Sequence, residues 1–149
     1  MEWQLFFHPD KCHIMHLGKK NMQADYQLGE GEDRSNLTAT DKEKDLGVII
    51  QNNLRFTAHI DKIINTANKI LGIIRRTFDN INKDIFNHLY KGIVRPSLEY
   101  ASSVYNPKLM GDIHRLESIQ RRATKMVTAW VAKLGGNGFP LYEESTFVI

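Results

Sequence analysis

The stretch Thr57-Ala58-His59-Ile60-Asp61-Lys62-Ile63-Ile64-Asn65-Thr66-Ala67-Asn68-Lys69-Ile70-Leu71-Gly72-Ile73-Ile74-Arg75-Arg76-Thr77-Phe78 decides the fold class. Ile60, Ile63, Ile64, Ala67, Ile70, Leu71, Ile74 and Phe78 recur at intervals of three and four, which lays one apolar stripe along a long α-helix. Thr57 offers a hydroxyl suited to capping its first turn. A stripe of this length needs apolar partners, and the residues that follow supply them. A second helix is predicted near Lys83 to Val94, burying Ile85, Phe86, Leu89 and Ile93. Pro96 disfavours helical backbone at Arg95, so a kink is expected there, followed by helix over Ser97 to Tyr105. Within it Glu99 is placed to pair with Arg95 one turn earlier. Asn106-Pro107 reads as a turn. Asp112 is a suitable cap for a last helix burying Ile113, Leu116, Ala123 and Val127.

Upstream the pattern changes. Cys12-His13-Ile14-Met15-His16-Leu17, Tyr26-Gln27-Leu28 and Leu46-Gly47-Val48-Ile49-Ile50 are short strand-like runs, ended by Gly18, by Gly29 and Gly31, and by Asn52-Asn53. Between the second and third, residues 30–45 read as loop with one short strand near Leu37. The expected architecture is therefore α+β: a small antiparallel β-sheet over residues 1–54, followed by a bundle of three to four helices over 55–129. Residues 130–149 are expected to be a divergent, poorly ordered tail, because Gly135-Gly136-Asn137-Gly138-Phe139-Pro140 breaks any helix.

The charge is divided in the same places. The chain of 149 residues has a net charge of +3, yet residues 1–54 hold 6 Lys/Arg against 9 Asp/Glu, and residues 55–129 hold 13 against 6. A polyanion would meet the middle block. At 42% hydrophobic residues the chain can build a modest core and is not expected to be disordered throughout. A single cysteine, Cys12, forbids an internal disulfide and fits a reducing compartment. No apolar run approaches the ~20 residues of a membrane span, and the first residues lack the basic and apolar regions of a signal peptide.

Arg55, Lys62, Lys69 and Arg76 are spaced by seven, nearly two helical turns, and share a face away from the isoleucines. Arg115, Ser118, Arg122 and Lys125 line one face of the last helix, opposite Leu116, Ala123 and Val127. Two such stripes suit the two phosphate backbones of a duplex. The solvated face of an amphipathic helix carries the same pattern, and composition alone does not separate the two readings. Tyr100, Tyr105, Trp3 and Trp130 are able to stack on bases, and packing in a small core accounts for them equally well.

Catalytic and metal signals are thin. His8, Cys12, His13 and His16 cluster, but no second His/Cys pair follows at zinc-site spacing, and Cys12 reads as a small buried hydrophobe. Neither a nucleophile elbow, an HExxH motif nor a Gly-rich phosphate loop occurs. Two-metal phosphoryl transfer needs converging carboxylates, and the chain has no Asp-Asp doublet. Asp41, Glu43 and Asp45 alternate with Lys42 and Lys44 as a solvated segment would. No catalytic residue and no metal ligand is assigned.

Three stretches resemble the region downstream of the polymerase active site in the reverse transcriptases of non-LTR (LINE-type) retrotransposons, over roughly residues 3–128. The first runs from Trp3-Gln4-Leu5 through Pro9-Asp10-Lys11-Cys12 to Met15-His16-Leu17-Gly18, with His8 where that family usually has Asn. The second is Glu43-Lys44-Asp45-Leu46-Gly47-Val48. The third, the most specific, combines Leu89-Tyr90-Lys91, Val94-Arg95-Pro96-Ser97-Leu98-Glu99-Tyr100-Ala101 and Leu116-Glu117-Ser118-Ile119-Gln120-Arg121-Arg122-Ala123-Thr124-Lys125. Tyr105-Asn106-Pro107 stands where the family often has Trp-x-Pro. The resemblance implies the end of a polymerase palm followed by a thumb-like region that grips the template–primer duplex, an RNA–DNA hybrid, without reading sequence. It implies that the catalytic aspartates, and the Mg²⁺ they hold in the intact enzyme, belong to a segment before Met1. This chain alone is then catalytically incomplete and needs no cofactor. It further implies residence inside the cell, in nucleus or cytoplasm. The alternative expectation is a helical protein–protein module, or a remnant without function, self-associating through exposed apolar helix faces.

Overall fold

The computed structural model describes residues 7–18, 20–29, 31, 34–79 and 81–133. Trp3 and the glycine-rich segment at 135–140, on which two of the expectations above bear, lie outside the described residues. The fold is α+β, in two units that divide between Phe56 and Thr57.

The first unit holds three two-stranded pairings in place of one sheet. β1 (His13–Ile14) pairs in parallel with β4 (Thr38–Ala39), β2 (Gln27–Leu28) pairs antiparallel with β3 (Ser35–Asn36), and β5 (Lys42–Asp45) pairs antiparallel with β6 (Val48–Gln51). The segment expected to be mostly loop thus supplies β3, β4 and β5. Its strands are polar on both faces, which removes the alternating apolar signal from which strands are read. Leu46-Gly47 is not strand. It is the two-residue turn between Asp45 and Val48, with φ of 43° and 89°. Positive φ at both central residues is the signature of the type I′ hairpin turn, which matches the twist of the flanking strands. Val48 is the one fully buried apolar side chain of this unit among the described residues.

The second unit is helical: α1 (Thr57–Thr77), α2 (Lys83–Leu89), a single wide π turn (Tyr90–Val94), α3 (Arg95–Glu99), α4 (Ser102–Tyr105) and α5 (Met110–Lys133). α1 buries Ile60, Ile63, Ile64, Ala67, Leu71 and Ile74, as its stripe requires, and adds His59, which is 1% exposed. Asn82 caps α2, its side-chain oxygen accepting from the Ile85 N–H at 2.8 Å.

The departure from helical backbone expected at Arg95 is not found. Arg95 is helical, at φ −58° and ψ −46°, and its N–H donates to the Tyr90 carbonyl five residues back. A proline ring clashes with the carbonyl four residues earlier in a regular helix. Widening the preceding turn lets the chain pass Pro96 without stopping. The break comes later, at Ala101, which is left-handed at φ 57°. The wide turn also resets the buried face. Val94 and Leu98 are buried, whereas Ile85 and Ile93, expected inside, are about half exposed. Arg95 and Glu99 form the anticipated pair at 2.6 Å.

α1 and α5 run in the same direction, because Asp61 meets Arg115 and, seven residues on, Asn68 meets Arg122. The chain between them returns the opposite way. Phe86 packs edge-on against Trp130, late in α5, at 5.9 Å, and Tyr105 packs against His59, early in α1, at 5.0 Å between ring centroids. The helices form an up–down–up arrangement of three rods, the middle one composed of α2, the π turn, α3 and α4. Tyr105 and Trp130 are 3% and 6% exposed, so they are core side chains and not base-stacking platforms, whereas Tyr100 is exposed. Two boundaries differ from expectation. α5 begins before Asp112, which sits buried in its first turn and not at its cap. It also continues through Trp130 to Lys133, into what was expected to be tail.

Candidate nucleic-acid interface

On α1 the residues flanking the buried stripe on the side of α5 are Asp61, Asn68 and Arg75, one per heptad. On α5 the facing positions are Arg115, Arg122 and Ala129. The first pair is an ion pair: Arg115 donates to Asp61 and also to Asp112 at 3.3 Å. The second is charge to amide, with Arg122 donating to the Asn68 side-chain oxygen at 2.6 Å. The next step of this register pairs Arg75 with Ala129, whose side chain offers neither charge nor acceptor, and both line the same groove. The seam between the helices is therefore neutralised at its N-terminal end and increasingly cationic toward its C-terminal end.

That end opens into a groove of about 580 Å³ lined by Arg75, Ser118, Arg121, Arg122, Lys125 and Trp130, among others. Ser118 donates its hydroxyl to the Arg115 carbonyl at 2.6 Å, and Arg121 is paired to Glu117 at 3.1 Å. Arg75, Arg121, Arg122 and Lys125 are all exposed.

The residues expected to contact backbone phosphates separate into groups. Lys62, Lys69 and Arg76 are exposed on α1, each one residue beyond Asp61, Asn68 and Arg75. They point about 100° further round the helix and away from α5. Arg122 and Lys125 come together with Arg75 in the groove. Arg115 is held between two carboxylates, and the Asp61 hydrogen bond raises its already high pKa, so its charge is locally compensated. Arg55 belongs to the first unit, where its backbone N–H donates to the Asn53 side chain at 3.0 Å. Arg75 and Arg121 were not singled out from the sequence. The signal for Arg75 lay in the pairing of two heptad series, 61–68–75 with 115–122–129, which needs the parallel register of the helices; Arg121 lies in neither series and joins only through the groove wall.

None of the described helices is long and apolar enough to cross a membrane. In the first unit His13 lies 3.4 Å from Glu43, and Asp41 accepts from the Asn52 side chain at 2.7 Å. Among the described residues no group of three His, Cys, Asp or Glu side chains is placed to share an ion. The described residues thus hold no converging carboxylate set of the kind that a two-metal polymerase site needs.

Compared with known proteins, the chain matches no family model, no curated protein and no solved structure at a significant level.

Proposed function

We propose that the helical unit holds a nucleic-acid duplex by its backbone, as the thumb-like region of a retrotransposon reverse transcriptase would hold an RNA–DNA hybrid. One observation carries this reading: the outer surface of the parallel α1–α5 pair collects Lys62, Lys69, Arg75, Arg76, Arg121, Arg122 and Lys125, all exposed, against the carboxylates of Asp61 and Glu117. Cations on rigid helices neutralise phosphates and release condensed counterions, which gives affinity without sequence preference. The contacts assigned are Lys62, Lys69, Arg76, Arg122 and Lys125, with Arg115 shaping the seam. The catalytic carboxylates and their Mg²⁺ belong, in this reading, to another part of the polymerase. Titration of the purified chain with a labelled RNA–DNA hybrid across a salt series tests it. Affinity should fall by orders of magnitude as salt rises, and absence of binding at low salt by the folded chain would refute it.

A second reading, a helical protein–protein module, is favoured by Ile73, Ile85, Ile93 and Val104, each 49–54% exposed. It predicts oligomers that persist at high salt, since apolar contacts are not screened.

A further inference from the structure

We infer that the groove at the C-terminal end of the α1–α5 seam is a site for a compact, multiply charged phosphate group. The inference does not rest on duplex binding. It rests on where the seam's compensation ends.

Asp61 answers Arg115 and Asn68 answers Arg122, but Arg75 stands opposite Ala129, with Arg121 and Lys125 beside it. Four cations thus line one groove whose wall includes no carboxylate among the described residues; Glu117, the partner of Arg121, lies outside it. Basic residues in the last turn of a helix complement the negative end of its dipole. That accounts for Arg75 and Arg76, in the last turn of α1. It does not account for Arg121, Arg122 and Lys125, which precede the end of α5 at Lys133 by two turns or more. Like charges gathered in one concave place repel one another, and an anion relieves that repulsion.

The chemistry selects the anion. Arginine forks match phosphate oxygens bidentately, and lysine adds a point charge. A volume of about 580 Å³ is that of a small-ligand pocket. It has room for a diphosphate and exceeds what a single monovalent ion requires. The group could come from free polyphosphate or from a nucleic-acid strand, and the two share this chemistry.

The test uses the full chain, isotopically labelled, and inorganic pyrophosphate at constant ionic strength. Saturable shifts are expected at Arg75, Ser118, Arg121, Arg122 and Lys125. Arg75→Gln with Lys125→Gln should weaken binding by about tenfold for each cation removed, as for a charge-assisted hydrogen bond. Lys91→Gln with Lys108→Gln, exposed positions outside the groove, should leave it unchanged. Circular dichroism checks that each variant is folded. Shifts spread evenly over Lys62, Lys69 and Arg76, or none at all, overturn the site. Displacement of pyrophosphate by a short RNA–DNA hybrid identifies a strand as the source, and failure to displace identifies free polyphosphate. If pyrophosphate saturates the groove and no hybrid binds, the duplex reading fails alone. If hybrid binds and pyrophosphate does not, this inference fails alone.

Discussion

Arg115 of α5 donates to Asp61 of α1 while also reaching the buried Asp112 on its own helix, so a single guanidinium ties the two parallel helices together at their N-terminal ends. Its two partners are not equivalent. Asp61 is about half exposed, whereas the Asp112 side chain is 9% exposed. Exposed ion pairs contribute only about 0.2–1 kcal/mol, because solvent screens them. A buried carboxylate stripped of its partner costs about 1–3 kcal/mol or more. Asp61→Asn should therefore lower stability in urea denaturation by less than about 1 kcal/mol. Arg115→Ala should lower it by about 2–3 kcal/mol. Equal losses in the two variants would show that Asp112 does not depend on Arg115.

Trp130 is expected to be indispensable to the helical unit. It is 6% exposed and packs edge-on to Phe86, joining the end of α5 to the start of the returning rod. Trp130→Ala should cost about 3–5 kcal/mol, the usual loss for truncating a buried aromatic. Trp130→Phe should cost much less, since most of the apolar contact survives. Thermal melts of the two variants decide this. A melting temperature unchanged by the alanine variant would place Trp130 outside the core.

The long helices and their buried faces were legible in the sequence because a period of 3.6 leaves an unmistakable stripe in α1 and α5. Three features were not legible, each for a physical reason. The passage of the helix through Arg95-Pro96 depends on a wide turn at Tyr90–Val94, and widening has no side-chain signature. The strands β3 to β5 carry almost no apolar side chains, so their pairing lies in backbone hydrogen bonds and a few side-chain ones such as Gln27 to Asn36, which leave no alternating apolar pattern. The cationic groove depends on the register between two helices separated by more than thirty residues of chain, and only half of its basic residues, Arg122 and Lys125, were picked from single-helix spacing.

The hairpin turn carries a correctable strain. Leu46 sits at φ 43°, a region that costs a non-glycine residue about 1 kcal/mol or more, and its side chain is 83% exposed. Asn tolerates this conformation, and Asn-Gly is the preferred pair for such a turn. Leu46→Asn should stabilise the β5–β6 hairpin by about 0.5–1 kcal/mol. Slower amide exchange at Val48 and Ile50 would register the gain. Faster exchange would mean that the leucine side chain makes a contact worth more than the strain.

Acid should weaken the helical unit through His59. Burial against Tyr105 lowers its pKa below 6.5, and the Lys62 charge lowers it further. The unfolded chain then binds a proton that the folded chain refuses. Stability rises with pH wherever the unfolded state holds more protons. The contribution is complete above about pH 6.5 and is lost as pH falls from there toward the depressed folded value. The melting temperature should drop between pH 7.5 and pH 5.5, and His59→Gln should flatten that drop. A His59→Gln variant as acid-sensitive as the parent would move the origin of the effect elsewhere.

The outward stripe of α1 can be separated from the groove by the salt dependence of binding. Lys62 and Lys69 lie on the face pointing away from α5, while Arg122 and Lys125 lie on the seam. If both surfaces touch phosphates, each lysine removed should reduce the slope of log affinity against log salt by about 1. Lys62→Gln with Lys69→Gln should therefore flatten the slope by about 2 for an RNA–DNA hybrid, with little change in preference between sequences. A slope that stays constant while the Arg122→Gln, Lys125→Gln variant flattens it would confine the interface to the seam. A duplex would then lie along α5 alone, and the second stripe would be solvated surface. Flattening in both variants requires a ligand broad enough to span two helices, which a duplex is and a single extended strand is not.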